Sequence, residues 1–210
     1  MTEQKRIFDK NIERVKSICS LYTSLKGENK KDGKEYILTD MLRAAVVFLH
    51  SSFEEYFRKI IIDILPKKAT NETLKHIPIS LYAGVRNPDK IFLSDLSMYK
   101  NLSINEVIEE SISKHMELKS FNSAEEIRVW LSKVMIDFST FDKFDTIDKA
   151  VKRRHKIVHE ADTNRTNDGE RLTSIKSGDI KPWIEAYVEL VSLIENQIEK
   201  WEKDNEHTNQ

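Results

Sequence analysis

The sequence predicts an all-α protein: an antiparallel bundle of long helices with one irregular middle segment. Apolar residues recur at steps of three and four over long stretches, which gathers them on one face of a helix with 3.6 residues per turn. The 210 residues also hold only 5 glycines and 4 prolines, too few to punctuate the turns of an all-β chain. Hydrophobic residues at 39% and charged residues at 33% suit helices with one buried and one solvated face. No glycine-, proline- or serine-rich linker divides the chain, so residues 1–210 read as a single domain.

The first stripe, Phe8, Ile12, Val15, Ile18, Cys19, Tyr22 and Leu25, predicts a helix ending near Gly27. Residues 27–38 are charged and without apolar rhythm, as in a flexible surface connection. Thr39 or Asp40 can cap a second helix, whose stripe of Leu42, Val46, Leu49, Phe53, Phe57, Ile60 and Ile64 is stopped by Pro66. Pro78, Gly84 and Pro88 break residues 67–101 into short turns and loops. Ser103 with Glu106 and Ser123 with Glu126 have the spacing of capping boxes. The first of these helices should reach Lys119, and the second should bury Ile127, Trp130, Leu131, Val134 and Phe138 before breaking near Ser139. A further helix is expected over 142–161, followed by a polar loop over 162–178. The last helix is capped by Asp179, tolerates Pro182 in its first turn, buries Trp183, Tyr187, Leu190, Ile194, Ile198 and Trp201, and frays over 204–210. All three tryptophans lie on apolar stripes and are expected in the core.

Several function classes are disfavoured. The most apolar stretch, 60–65, is far shorter than the ~20 residues a bilayer span needs, so no membrane partner is expected. The start of the chain is charged and carries no secretory pattern, which leaves the cytoplasm as the expected compartment. Cys19, the single cysteine, cannot form an internal disulfide and is expected as a small core residue. A net charge of −1 supplies no global field toward nucleic acid, so any RNA contact has to be local.

Chemistry concentrates in Lys152-Arg153-Arg154-His155-Lys156-Ile157-Val158-His159-Glu160. Cleaving RNA without a metal requires a group that takes the 2′-OH proton and a fixed positive charge facing the phosphorane. His159 and Arg154 can fill those roles, because imidazole titrates near neutrality and guanidinium offers a fork matched to phosphate oxygens. The products would be a 2′,3′-cyclic phosphate and a 5′-hydroxyl. Five positions apart, the two side chains diverge by about 140° on a straight helix, so a bend at His159 or a second copy of the chain is needed to converge them. Lys152, Arg153, Lys156, Arg165 and Arg171 can form a local RNA-binding strip.

The run Arg154-His155-Lys156-Ile157-Val158-His159 resembles the signature of HEPN domains: an Arg, a polar residue, three variable residues and a His near the end of a helix. Its surroundings, 153–162, resemble prokaryotic HEPN proteins of toxin–antitoxin and antiviral systems. The stretch 42–56 resembles the long early helix of those domains, with an acidic residue after an apolar run. This resemblance implies a two-fold homodimer whose paired motifs line a cleft for single-stranded RNA, cleaved without a cofactor or metal. His159 would be the base or acid and Arg154 the phosphate ligand, with His155 orienting the site. Glu54, at the border of its helix face, is the better candidate to reach Arg154 than Glu55, which points nearly opposite the core. A cognate antitoxin or defence-system subunit would restrain the activity. Some HEPN toxins carry a Tyr two residues after the His, modified by a partner enzyme; this chain has Ala161 there, which disfavours that regulation.

Two other readings compete. His155 and His159 share a helix face and could hold a transition metal, but Lys156 stands where a metalloprotease helix places Glu, and no third ligand is evident. The stronger rival is a non-catalytic helical module that binds RNA, a nucleotide or a partner protein through the same Arg/His end.

Overall fold

The computed structural model describes residues 1–28, 35–80, 93–166 and 169–208. Four long helices make the body: α1 (Glu3–Glu28), α2 (Glu35–Lys68), α7 (Phe144–Glu160) and α8 (Ser177–Thr208). Between them lie the short helices α3 (Asn71–Leu74) and α4 (Leu93–Leu96), a 3₁₀ turn (Ser97–Tyr99), then α5 (Ile104–Glu117) and α6 (Ala124–Lys133). Strands β1 (Thr163–Thr166) and β2 (Gly169–Leu172) form an antiparallel pair between α7 and α8, with Thr163 opposite Leu172. The chain is therefore all-α in its architecture, as its periodicity predicts.

The centre of the bundle is α2, which packs against α1, α5, α7 and α8. Leu42, Leu49, Phe53, Phe57, Ile61 and Leu65 are fully buried, because helices lie on several sides of the one segment whose apolar positions spread beyond a single stripe. Side-chain pairs fix the directions. Gln4 meets Asp63 at 3.1 Å, the Phe8 and Tyr56 rings lie 5.6 Å apart, and Arg14 stands over Phe48, so α1 runs antiparallel to α2. Tyr187 packs on Phe53 and Glu195 accepts a bond from the Tyr56 hydroxyl at 3.1 Å, so α8 runs parallel to α2. Arg154 facing Glu54 and Asp162 facing Arg43 make α7 antiparallel to it.

Several boundaries depart from the sequence expectations. The second helix starts at Glu35, ahead of Thr39, and continues two residues past Pro66. Proline in a last turn forfeits one intrahelical bond, and Ala69 N–H still closes on Leu65 O at 2.8 Å. Residues 29–34 of the expected connection and 81–92 of the irregular segment lie outside the described residues. Ser103 and Glu106 form the full capping box; Glu126 instead accepts from Asn122 N–H, while Ser123 caps Glu126 N–H.

The helix expected to reach Ser139 ends at Lys133. Met135 adopts a left-handed φ of 55°, its N–H bonding Ser132 O and that of Ile136 bonding Leu131 O, a complete Schellman stop. Glycine usually marks such a stop, and methionine gives no signal of it. The expected loop 162–178 contains the β1–β2 pair, and α8 continues to Thr208 through the segment expected to fray. Asp179 sits in the first turn of α8 and accepts from Lys176 N–H at 2.8 Å. Cys19 is half-buried against the core, not enclosed in it, and Trp183 and Trp201 are likewise half-buried.

Phe53 sits between Phe57 and Tyr187, with ring centres 5.3 and 4.7 Å away. Replacing it with alanine leaves a cavity where α2 meets α8. Phe53→Ala is expected to lose about 3–5 kcal/mol of stability, read from urea denaturation followed by circular dichroism.

Candidate active site

Arg154 lies on the inward side of α7. Its Nη2 stands 3.9 Å from Glu54 Oε2, and its side chain keeps 18% of its surface exposed. The Nε atom is buried without a hydrogen-bond partner. Glu54 is itself fixed, since its Oε1 accepts the Phe121 N–H at 2.9 Å. The border position that its helix face assigns to Glu54 is thus where the guanidinium arrives. One turn earlier on α2, buried His50 stands with Nε2 3.8 Å from Glu54 Oε2 and Nδ1 2.8 Å from the Tyr187 hydroxyl. Burial holds the imidazole neutral, pushing its pKa down to about 4; Glu54 opposes that shift and Arg154 adds to it. Burial also raises the pKa of the Tyr187 hydroxyl, which keeps its proton. In the tautomer with Tyr187 donating to Nδ1, the imidazole N–H faces the carboxylate. Sequence reading named Glu54 but missed Tyr187, a residue that its α8 stripe marks only as core.

His159 faces away from this cluster. It is exposed, its ring centre is 4.5 Å from that of exposed His155, and it lines a groove of about 810 Å³ with Lys156, Ala161, Thr163 and Asn164. Lys156 Nζ donates to Asn164 Oδ1, joining the helix end to β1. Of the two routes to convergence, fraying at His159 does not occur, because α7 stays helical through Glu160. Arg154 and His159 therefore keep the divergence of a straight helix. Arg154 is not sealed in the interior, and His159 is open to solvent.

The end of α7 is set by a buried charge cluster that sequence reading missed. Ala161 and Asp162 both take left-handed φ values, 49° and 55°, at a cost of roughly 1–2 kcal/mol each for residues with a Cβ. That turn delivers the fully buried Asp162 carboxylate to two guanidinia: Oδ2 accepts from Arg43 Nε at 2.7 Å and from Arg153 Nη2 at 2.8 Å. Arg43 and Arg153 also donate to Thr173 O, and Arg153 to Ser174 O. Arg153, expected on the RNA-binding strip, is thus drawn inward to hold the chain after β2. The one available signal was Arg43, a charge inside the apolar run 42–49. Lys152 remains exposed and pairs with Asp148 at 2.5 Å, Arg171 is exposed on β2, and the Arg165 side chain lies outside the described residues.

Among the described residues, no helix is long and apolar enough to cross a membrane, and no three His, Cys, Asp or Glu side chains group as a metal site. A helical bundle presenting an Arg–polar–x3–His motif at the end of a buried-face helix defines a HEPN-class domain. More narrowly, a family model described as RiboL-PSP-HEPN matches residues 9–200, and the chain belongs to that family. Membership supports a general ribonuclease- or toxin-like role. No curated protein and no solved structure matches the chain.

Unfolded, His50 binds its proton near 6.5; folded, near 4. Between those values the unfolded state takes up more protons, so stability present at pH 7 is lost as pH falls through this window. His50→Gln should flatten the pH dependence of the thermal midpoint between pH 6.5 and 4. His115, pushed down to about 4 by burial, contributes with the same sign, and His115→Gln measures its separate share. Asp162→Ala leaves two guanidinia facing each other in a largely buried setting and should cost about 3–5 kcal/mol in chemical denaturation.

Proposed function

We propose that this protein is a metal-independent endoribonuclease that cleaves single-stranded RNA, acting as a toxin or antiviral effector in the cytoplasm. The observation that carries the reading is the contrast along α7: a guanidinium braced by Glu54 yet still part-exposed, and five residues on an imidazole open to a groove. Arg154 binds the scissile phosphate and faces the charge that builds on the phosphorane. His159 takes the 2′-OH proton as that oxygen attacks phosphorus. The P–O5′ bond breaks, the leaving oxygen takes up a proton, and a 2′,3′-cyclic phosphate and a 5′-hydroxyl result. His155, whose ring lies against that of His159, orients the base or the substrate. Lys152 and Lys156 attract the RNA backbone, and Arg153 shapes the wall behind them.

Because the helix is straight, the two reacting groups come from different copies: Arg154 of one protomer and His159 of the other meet around one phosphate in a homodimer. A cognate antitoxin or defence-system subunit covers this cleft when the enzyme is silent. Glu54 fixes Arg154 without touching substrate, and the Phe121 N–H fixes Glu54.

The test is incubation with single-stranded RNA in excess chelator. Wild type should cleave, while Arg154→Ala and His159→Ala should each fall by a factor of about 100 or more. Mixing the two inactive variants, with subunit exchange, should restore roughly a quarter of wild-type activity, since half the dimers then hold one intact site. Intact RNA that nonetheless binds the wild-type protein identifies a non-catalytic HEPN module instead.

A further inference from the structure

A second groove, of about 530 Å³, opens on the side of α7 next to the His159 groove. One wall carries Lys149, Lys152 and Lys156, at helix spacings of three and four, which puts the three residues along one side of α7 over about 10 Å, with Lys152 paired to Asp148 and Lys156 donating to Asn164. The other wall carries Trp183, whose indole packs partly against the core while also lining the groove. Its half-burial departs from the core role that the apolar stripe of α8 assigns. Arg153 forms the floor, committed to Asp162 and the Thr173 and Ser174 carbonyls. Asp179 is the one carboxylate among the described lining residues, and its Oδ2 is turned to the Lys176 N–H. Lys156 lines this groove and the His159 groove alike.

An indole packed partly against the core, in a groove that three lysines also line, offers what an unpaired nucleotide needs: a stacking surface for the base and cations for the phosphates. A paired base hides its faces and gains nothing from the tryptophan. We propose that this groove is a binding subsite for single-stranded RNA. A base stacks on Trp183, successive phosphates lie along Lys149 and Lys152, and Lys156 passes the strand to the His159 groove. The Lys152–Asp148 pair does not prevent this, since an exposed ion pair exchanges readily for a phosphate contact. The subsite rests on RNA being the substrate of the neighbouring site, but it concerns binding, and it is measured without cleavage.

The experiment is fluorescence anisotropy with a labelled 12-residue oligouridine on the full-length chain carrying His159→Ala, which leaves the RNA intact. Trp183→Leu in that background should weaken binding by about tenfold or more, and Trp183→Phe should stay within a few-fold of the parent. The double variant Lys149→Glu, Lys152→Glu should weaken binding and reduce the slope of log K against log salt by at least about 1.4. A duplex of the same length should bind more weakly than the single strand. Binding by Trp183→Leu within twofold of the parent, equal affinity for the duplex, or no measurable binding by the parent at low salt each overturns the proposal. If Trp183→Leu fails to fold by circular dichroism, the exposed lysine pair decides, and an unchanged affinity and salt slope there also overturns it. Wild type that binds through Trp183 but never cleaves sinks the ribonuclease reading and leaves the subsite standing; His159-dependent cleavage with binding indifferent to Trp183 does the reverse.

Discussion

The fully buried carboxylate of Asp162, shared by Arg43 and Arg153, is the interaction on which the working end of this bundle depends. It joins the start of α2, the body and end of α7 and the segment after β2 at one point. A buried charge is tolerated only when it is paired and hydrogen-bonded, and that demand dictates the local chain path. Ala161 and Asp162 accept left-handed conformations so that the carboxylate can turn inward, and α7 stops there. The turn leads directly into β1, whose Asn164 meets Lys156 and closes one side of the His159 groove.

The helix continues unbroken through Glu160, so its side chains leave in different directions. One face of α7 sends Arg154 toward Glu54 and the buried His50–Tyr187 pair. Another presents His155 and His159 to solvent, and a third aligns the lysines beside Trp183. A part-exposed guanidinium whose carboxylate stands at ion-pair rather than hydrogen-bond distance keeps terminal N–H donors for an anion. The bundle therefore presents the guanidinium, the imidazole and the lysine–tryptophan groove on separate faces, and the proposed homodimer is what would bring the first two to one phosphate.

The networks differ in what they contribute. Glu54 is fixed by a backbone N–H from the segment before α6, with the neutral His50 ring 3.8 Å away on its own helix, so the placement of Arg154 depends on α2 and on a segment distant in sequence. Neutral His50 adds no charge to compete with Arg154 for that carboxylate, which is why its burial matters to the site as well as to stability. The Arg43–Asp162–Arg153 cluster touches none of the proposed reacting groups; it fixes the frame in which they stand.

The helices, their buried faces and the Arg–His motif were legible in the sequence because each rests on local spacing: steps of three and four for the stripes, Ser103 with Glu106 for a cap, Glu54 at a face border. The Schellman stop at Met135 and the left-handed turn at Ala161 were not legible, since neither carries the glycine that usually marks such a geometry. Nor could spacing show that Arg153 folds inward while Lys149 joins Lys152 and Lys156, or that Trp183 borders a groove. Whether a charged or aromatic residue ends in solvent, in a pair or against a cavity depends on which distant segment arrives beside it. Burying Asp162 between two helices, with its energetic demand for both arginines, is a decision that only the tertiary fold makes.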